Sequence, residues 1–342
     1  MKSLDRDEVR RLLVRLPNWM GDTVMALPAL RAIRKAWSGG TITLVGPWAR
    51  LVSGQEVGDE FVDAPRSLRD RARFVREIRS KPFDLAILLP NSFQSALLAW
   101  LGRVRWRVGY REDSRGFMLT HPVPPASEST HQVDQYLGLV EAIGVSADER
   151  TPRFRVAEEA RFGARALMRS AGVEPESRPI GIQLGAASGP SKRWIPERIV
   201  ELADRLHDDG VGALLLGGRE EEPLARWIAD RVRVRIPSLV GKDSPDLLPG
   251  LLFSCRALLS ADSGPAHLAA AVGTPVVTIF GPTDPGKTRP LGERQTALSA
   301  RVPCSPCFLP HCPIDHICMT GISVGEVRDG LIRSARGFEK SD

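Results

Sequence analysis

The sequence lacks any run of apolar residues long enough to cross a membrane. Its first sixteen residues, MKSLDRDEVRRLLVRL, are too charged for a secretory signal peptide. These two absences predict a cytoplasmic protein. Of its five cysteines, four lie together beyond residue 303, and in the reducing cytoplasm they would be mostly free thiols.

A nucleic-acid-binding motif is also absent, although the chain is basic, with a net charge of +6. Many of the arginines lie in the first half, in segments 66–81 and 103–113. Such a surface suits an anionic partner, either a phosphorylated or carboxylated substrate or an anionic membrane face. An ordinary solvated arginine-rich surface fits the pattern equally well. We therefore expect no nucleic-acid partner.

The length of 342 residues, of which 42% are hydrophobic, is sufficient for two cores. Apolar runs alternate with helical patterns in both halves, which predicts two doubly wound α/β domains. We expect an N-terminal domain over 1–172, a C-terminal domain over 173–322, and a final helix and tail over 323–342 that packs back on the first domain. The Gly- and Pro-containing segment 171–179 would be the linker.

Hydrophobic periodicity places the individual elements. The predicted strands are 9–16, 41–45, 84–89, 179–184, 211–216, 257–261 and 275–280. The predicted helices are 22–37, 92–101, 133–143, 157–171, 196–207, 265–272 and 322–335.

The connection between the predicted strand 257–261 and the helix after it is typical of an anion site. Gly264 lets the backbone approach a ligand, and Ser263 adds a hydroxyl donor. The positive end of the helix dipole would favour a diphosphate. Alternatively, Asp262 only caps the helix and His267 only fills the core.

Two further loops follow predicted strands. Gly21 and Asp22 follow the first strand, and the segment GAASGPSKRW (185–194) follows strand 179–184. Since ligands in such folds bind beyond the carboxyl ends of the strands, we expect these loops to face each other across a cleft. Asp22 as a helix cap without a chemical role is an equally good interpretation, and Trp194 would pack on a nucleotide base or on the core.

Five segments in order resemble the ADP-heptose:lipopolysaccharide heptosyltransferase family, glycosyltransferase family 9. They are PNWMGDTVMALPALRAIR, LPNSFQSALLAWLGRVRWRVGYR, GPSKRW, GGREEE and ADSGPAHLAAAVGTPVVTIFGPTDP. The resemblance implies a GT-B fold, with two Rossmann-like domains facing across a cleft. It also implies an ADP-heptose donor held mainly by the second domain, inversion at the anomeric carbon, and a lipopolysaccharide inner-core heptose as acceptor.

The resemblance also implies roles for residues that match the family's motifs. Asp22 matches the general base, and Lys192 matches the lysine that meets the donor diphosphate. The implied donor-binding residues are Gly185, Ser188, Arg193, Glu220 or Glu221, Asp262, Ser263, Gly264 and His267. The implied acceptor-binding residues are Gly21, Asn91, Ser92 and Gln94.

An acceptor anchored in the inner leaflet implies peripheral contact with the cytoplasmic face of the inner membrane. The candidate arginines for docking it are Arg71, Arg73, Arg76, Arg103, Arg105, Arg107 and Arg111.

The transfer itself implies no cofactor and no catalytic metal. The run CSPCFLPHCPIDHICM nevertheless has the ligand types of a structural zinc site, with Cys304, Cys307, Cys312 and Cys318 as ligands. The irregular spacing and frequent proline favour the alternative, a compact loop of reduced thiols.

Two other functions compete with heptose transfer. A related transferase would use another nucleotide sugar or acceptor, because pocket shape sets sugar choice. A nucleotide-sugar binding module without catalysis would keep the phosphate loops and have no need of Asp22.

Overall fold

The computed structural model describes residues 4–186, 189–242 and 244–336. The chain divides into two compact units, unit 1 (Met1–Pro152) and unit 2 (Arg153–Asp342). Each unit is built on one sheet of parallel strands, which confirms the predicted α/β class with two doubly wound sheets.

Unit 1 has a six-stranded sheet in the order β3-β2-β1-β4-β5-β6. Its strands are β1 (Arg11–Arg15), β2 (Thr41–Val45), β3 (Glu60–Val62), β4 (Leu85–Leu88), β5 (Trp106–Tyr110) and β6 (His121–Val123). Its α-helices are α1 (Met20–Met25), α2 (Leu27–Ala36), α3 (Leu68–Ser80), α4 (Phe93–Leu101) and α5 (Gln132–Glu141).

The strand order of unit 1 reverses between the neighbouring strands β1 and β4. These central strands are short apolar runs, and their side chains, such as Leu13, Ala86 and Leu88, are buried in the core. The loops that leave the carboxyl ends of β1 and β4 flank the reversal, where open α/β sheets bind ligands. Asp22 and Asn91 follow these two strand ends.

The predicted helix 22–37 is two helices in the structure. The first ends at Met25 and the second begins at Leu27, with Ala26 between them at φ −79° and ψ −11°. Pro28 explains the division, because it has no amide hydrogen to continue the hydrogen-bonding pattern of α1.

Unit 2 has a five-stranded sheet in the order β11-β10-β9-β7-β8. Its strands are β7 (Ile180–Gln183), β8 (Ala213–Leu216), β9 (Ala257–Ala261), β10 (Val276–Phe280) and β11 (Gln295–Ser299). Its α-helices are α6 (Glu158–Ser170), α7 (Pro196–Asp208), α8 (Glu222–Ala229), α9 (Leu248–Ser254), α10 (Gly264–Ala271), α11 (Pro285–Thr288), α12 (Ile317–Thr320) and α13 (Val324–Ala335). Here the order reverses between β7 and β9.

The division between the units differs from the expected boundary at 172/173. It falls between Pro152 and Arg153 because α6 packs against α9, deep in unit 2. The two helices approach so closely that a Cβ added to Gly250 would lie 2.2 Å from the carbonyl oxygen of Ala160. The predicted helix 157–171 thus belongs to the second unit.

The expected packing of the C-terminal helix on the first domain is also corrected. α13 packs on α7 and on strands β9 and β10 of unit 2. Val327 and Leu331 are completely buried in the core of that unit, so the apolar face of the helix is used there.

Among the described residues, no helix combines the length and the apolar character needed to span a membrane.

Candidate active site

Asp22 lies in the first turn of α1, one residue after Gly21, at the carboxyl end of β1. Its carboxylate hydrogen-bonds with the hydroxyl of Tyr136, a buried residue of α5. Burial, together with the negative charge of Asp22, raises the pKa of Tyr136 well above its usual value. The tyrosine therefore stays protonated and donates its hydrogen to the carboxylate.

Tyr136 is a residue of the site that the sequence does not indicate. It lies within the predicted helix 133–143 among apolar residues, and its position in that pattern suggests only a core role. The pairing depends on α5 packing beside α1, which no local pattern encodes.

The loop after β4 is held by a completely buried guanidinium, that of Arg115. Its Nε donates to the carbonyl of Tyr110 at 2.9 Å, and its Nη1 donates to the carbonyl of Pro90 and, at 2.9 Å, to the hydroxyl of Ser95. Burial lowers the pKa of Arg115 to about 10. Arg115 therefore fixes the segment that contains Asn91, although in the sequence it is one arginine among many.

The predicted acceptor residues of this loop have different surroundings. Asn91 Nδ2 donates to Glu112 Oε2 at 2.7 Å. Ser92 is the N-cap of α4, and its side chain accepts from the amide of Ser95. Gln94 is half-buried in the first turn of the same helix.

The seven arginines predicted to dock the acceptor differ in their exposure and in their contacts. Arg107 donates to the carbonyls of Met118 and Val104, and burial lowers its pKa. Arg105 pairs with Glu8 at 2.6 Å and lies over the ring of Trp106. Arg73, Arg76, Arg103 and Arg111 are exposed, whereas Arg71 is half-buried.

In unit 2, Lys192 and Asp262 form an ion pair between the loops that follow β7 and β9. Lys192 Nζ lies 3.0 Å from Asp262 Oδ2 and 3.2 Å from its main-chain oxygen. The two side chains are only 15% and 7% exposed. Two of the three ammonium hydrogens are thus directed at Asp262, which leaves one for a ligand oxygen.

His267 completes this cluster from the first turns of α10. Its Nε2 lies 3.9 Å from Asp262 Oδ1, which is longer than a normal hydrogen bond. Burial raises the pKa of Asp262, but the contact with His267 and the positive charge of Lys192 outweigh it and lower that pKa to about 2. Asp262 is therefore ionised and serves as the counter-ion of Lys192.

The predicted anion turn is present beside this pair. Ser263 is the N-cap of α10, which begins at Gly264 with Pro265 in its first turn. The hydroxyl of Ser263 lies 2.9 Å from that of Ser260. The start of the helix and its positive dipole end thus lie directly after the carboxyl end of β9.

The structure also distinguishes the two candidate nucleotide acids. Glu220 is exposed, whereas Glu221 is buried and pairs with Arg193 at 2.9 Å. Glu221 Oε2 also accepts from the amide of Gly218 at 3.0 Å. A Cβ added to Gly185 would lie 2.9 Å from the same carboxylate, which would then have to shift.

The remaining predicted donor residues are Ser188 and Arg193. Ser188 lies outside the described residues. Arg193 has a buried Nε that, among the described residues, lacks a hydrogen-bond partner. Its neighbour Trp194 is buried in the core of unit 2. Of the two expectations for this residue, packing on the core is therefore the one that the structure favours over stacking on a base.

The cysteine cluster does not form a metal site among the described residues. Those residues contain no group of three or more His, Cys, Asp or Glu side chains that could hold a metal ion. Cys304 and Cys307 are exposed, Cys312 is half-buried and Cys318 is buried. Burial and the nearby thiols of Cys304, Cys312 and Cys307 raise the pKa of the Cys318 thiol. The structural zinc stays a prediction.

Comparison with known proteins adds a sequence-family match. The profile of glycosyltransferase family 9 (heptosyltransferase) matches residues 71–318. Lipopolysaccharide heptosyltransferase 2 of Salmonella typhimurium is 29% identical over 84% of this chain and 87% of its own length.

Solved structures agree with this match. The E. coli ADP-heptose lps heptosyltransferase II is 25% identical, with a TM-score of 0.80 over 95% of this chain and 98% of that one. A glycosyl transferase family 9 protein from Veillonella parvula has the same fold, with a TM-score of 0.86 at 22% identity over 97% of this chain and 98% of that one.

Proposed function

Since the chain belongs to glycosyltransferase family 9, we propose that it transfers a heptose from ADP-heptose to a heptose of the lipopolysaccharide inner core. It is a glycosyltransferase, and the names of its relatives include ADP-heptose and lipopolysaccharide. The inner-core heptose as acceptor is what the resemblance to the family implies. The observation that carries the proposal is the buried Lys192–Asp262 pair beside the start of α10, at the strand reversal of unit 2.

The donor chemistry follows from this arrangement. As the bond between the anomeric carbon and the ADP oxygen breaks, negative charge grows on the diphosphate. Lys192 retains one ammonium hydrogen for a diphosphate oxygen, and the amide of Gly264, the first residue of α10, supplies a neutral donor beside it. Groups fixed in advance stabilise this developing charge more than they stabilise the bound donor, and therefore accelerate the step.

Asp262 does not contact the diphosphate in this proposal. An ionised carboxylate beside a diphosphate would repel it, and both oxygens of Asp262 face Lys192 or His267. Its role is to orient the Lys192 ammonium.

The acceptor chemistry belongs to Asp22. The acceptor hydroxyl oxygen attacks the anomeric carbon opposite the departing ADP, which inverts the configuration. The hydroxyl proton passes to the Asp22 carboxylate, and ADP leaves with the electrons of the broken bond. Tyr136 holds the carboxylate in one orientation through its hydrogen bond.

The location of the acceptor also enters the proposal. We infer peripheral contact with the cytoplasmic face of the inner membrane through the exposed arginines of unit 1, including Arg73, Arg76, Arg103 and Arg111. Salt-sensitive sedimentation with phosphatidylglycerol vesicles, and none with phosphatidylcholine vesicles, is the expected result. Equal binding to both would contradict it.

A substrate comparison tests the proposed reaction. The protein is offered ADP-heptose or UDP-sugars together with a heptose-bearing lipid acceptor, and product is measured by mass spectrometry. Transfer from ADP-heptose alone is expected. Transfer from a UDP-sugar would show a related transferase, and ADP-heptose binding without transfer would show a binding module.

A further inference from the structure

The segment from Cys304 to Cys318, here called the cysteine-rich segment, contacts the residue that precedes Lys192. Ser191 is buried, and each of its three polar groups bonds to this segment. Its hydroxyl donates to the carbonyl of Leu309 at 2.5 Å, and its amide donates to the carbonyl of Pro310 at 3.2 Å. Its own carbonyl lies 2.5 Å from His316 Nε2. The cysteine-rich segment thus holds Ser191 on three sides.

The neighbouring glycine shows how closely the two backbones approach. Gly189 has φ +121°, a conformation that side chains rarely adopt. A Cβ there would lie 2.5 Å from the carbonyl oxygen of Pro310. The loop before Lys192 is therefore built to accept the cysteine-rich segment.

The other end of the same segment is tied to the loop after β10. The hydroxyl of Ser305 donates to the carbonyl of Gly281 at 2.6 Å. The amides of Cys307 and Phe308 donate to the carbonyl of Pro282 at 3.1 and 2.8 Å. The segment therefore connects the loop after β10 with the loop after β7, which contains Lys192.

His316 has the most specific of these contacts. A carbonyl oxygen only accepts hydrogen bonds, so the contact with Ser191 requires that His316 Nε2 bear the hydrogen. The residue adopts a left-handed conformation, with φ +54° and ψ +36°, immediately before α12. A non-glycine residue in this conformation is uncommon, and such residues occur frequently at functional sites.

We propose that His316 is a positioning residue that fixes the Lys192 ammonium against Asp262 by donating its Nε2 hydrogen to the Ser191 carbonyl. This inference rests on the proposed function, because it assumes that Lys192 meets the donor diphosphate. It gives the cysteine-rich segment a role that needs neither a metal nor a disulfide: the segment supports the diphosphate lysine.

Three variants test the donor role. His316→Ala removes the hydrogen-bond donor, and His316→Gln retains an N–H in place of Nε2. His311→Ala is the matched control, since His311 is an exposed histidine of the same segment. Calorimetry with ADP is expected to show about 10-fold weaker binding for His316→Ala. His316→Gln is expected to remain within about 2-fold of the wild type, and His311→Ala to be unchanged.

A double variant tests whether the effect passes through Lys192. If it does, His316→Ala introduced into Lys192→Ala should weaken ADP binding by less than about 2-fold further. Losses that simply add would show that His316 acts elsewhere and would overturn the proposal. Melting temperatures show whether each variant is folded. Hydrogen exchange of residues 189–193 should rise in His316→Ala and not in His316→Gln.

The results separate this inference from the proposed function. If the wild type transfers heptose but His316→Ala binds ADP normally and exchanges normally at 189–193, the positioning role is wrong and the function stands. If the wild type does not transfer heptose but the ADP affinities follow the expected order, the proposed substrate is wrong and the positioning role stands. A wild type that does not bind ADP would overturn both.

Discussion

The ammonium of Lys192 and the carboxylate of Asp262 lie 3.0 Å apart, and both side chains are largely buried. The two residues leave neighbouring strands, β7 and β9, so the pair joins the loops on either side of the strand reversal in unit 2. A buried ion pair is strongly destabilised when one partner is removed, because the other charge is left without compensation. The pair is therefore expected to contribute both to the stability of unit 2 and to the diphosphate binding proposed above.

The pair predicts a pH dependence of stability. Asp262 has a pKa of about 2 in the native protein, whereas an unfolded aspartate titrates near 3.9. Its ionised form therefore stabilises the native state above about pH 4, and this contribution of about 2 kcal/mol is lost as the pH falls from about 5 to 2.

Asp262→Asn is accordingly expected to lower the free energy of unfolding by about 2 kcal/mol at pH 7. This difference between the wild type and the variant should become smaller as the pH falls toward 2. Urea unfolding at a series of pH values measures it. Asp230→Asn, at an exposed aspartate after α8, is the control and should follow the wild type. If the difference in unfolding free energy between the wild type and Asp262→Asn does not change with pH, ionisation of Asp262 is not what stabilises the protein.

Asp22→Asn tests the general base. The amide keeps the shape of the side chain but cannot accept the acceptor proton, so kcat should fall by about 100-fold or more. ADP affinity should be unchanged, because the donor residues lie in unit 2. Asp63→Asn, at an exposed aspartate of unit 1, is the control. Nearly unchanged turnover in Asp22→Asn would refute the assignment.

Tyr136→Phe tests the hydrogen bond that orients Asp22. Without the donated hydrogen, the carboxylate takes up a proton at higher pH, so the acidic limb of the kcat/KM profile should move up by about 1 pH unit. The chain has a single other tyrosine, Tyr110, which gives a matched control. Its hydroxyl donates to the carbonyl of Gln135 at 2.6 Å, so Tyr110→Phe also loses a hydrogen bond, one that is partly buried.

The two tyrosine variants should therefore lose similar stability but differ in their pH profiles. An acidic limb that stays in place in Tyr136→Phe, or moves equally in Tyr110→Phe, would argue that Tyr136 acts on stability alone.

Gly185→Ala tests whether the cluster formed by Glu221, Arg193 and the Gly218 amide takes part in nucleotide binding. The added methyl group would lie 2.9 Å from a carboxylate that the Gly218 amide and Arg193 hold in place, so the Arg193–Glu221 pair must shift. We expect ADP affinity to fall by about 10-fold, the scale of one charged hydrogen bond. Gly212→Ala has space for its methyl group, 3.9 Å from the nearest atom, and should bind ADP normally. Equal affinity of both variants would exclude a nucleotide role for this cluster.

Much of the fold could be predicted from local patterns. The central strands β1, β4 and β9 are short and rich in apolar residues, and such segments are recognisable without tertiary information. Four strands were not predicted. β3 and β6 are three-residue edge strands with few buried side chains, and the edge strand β11 has none that is fully buried. β5 is an interior strand, but it lies within the arginine-rich segment 103–113. The domain boundary was misplaced because the pairing of α6 with α9 leaves no local signal.

Part of the candidate site could also be placed from the sequence alone. Gly21, Asp22, Lys192 and the turn at Ser263 and Gly264 follow strand ends, so the order of elements alone places them at the ligand-binding edges. The roles assigned to them by resemblance stay predictions until the substitutions are measured.

The sequence by itself determined the strands, the glycine-containing loops that follow them, and the family motifs in those loops, because each depends on residues close together in the chain. Only the tertiary structure decided which side chains support those loops. Tyr136 reaches Asp22 from another helix, Glu221 rather than Glu220 turns inward, and His316 meets Ser191 across 125 residues of chain. Such contacts are formed when helices and loops pack on a sheet, and no local spacing encodes them.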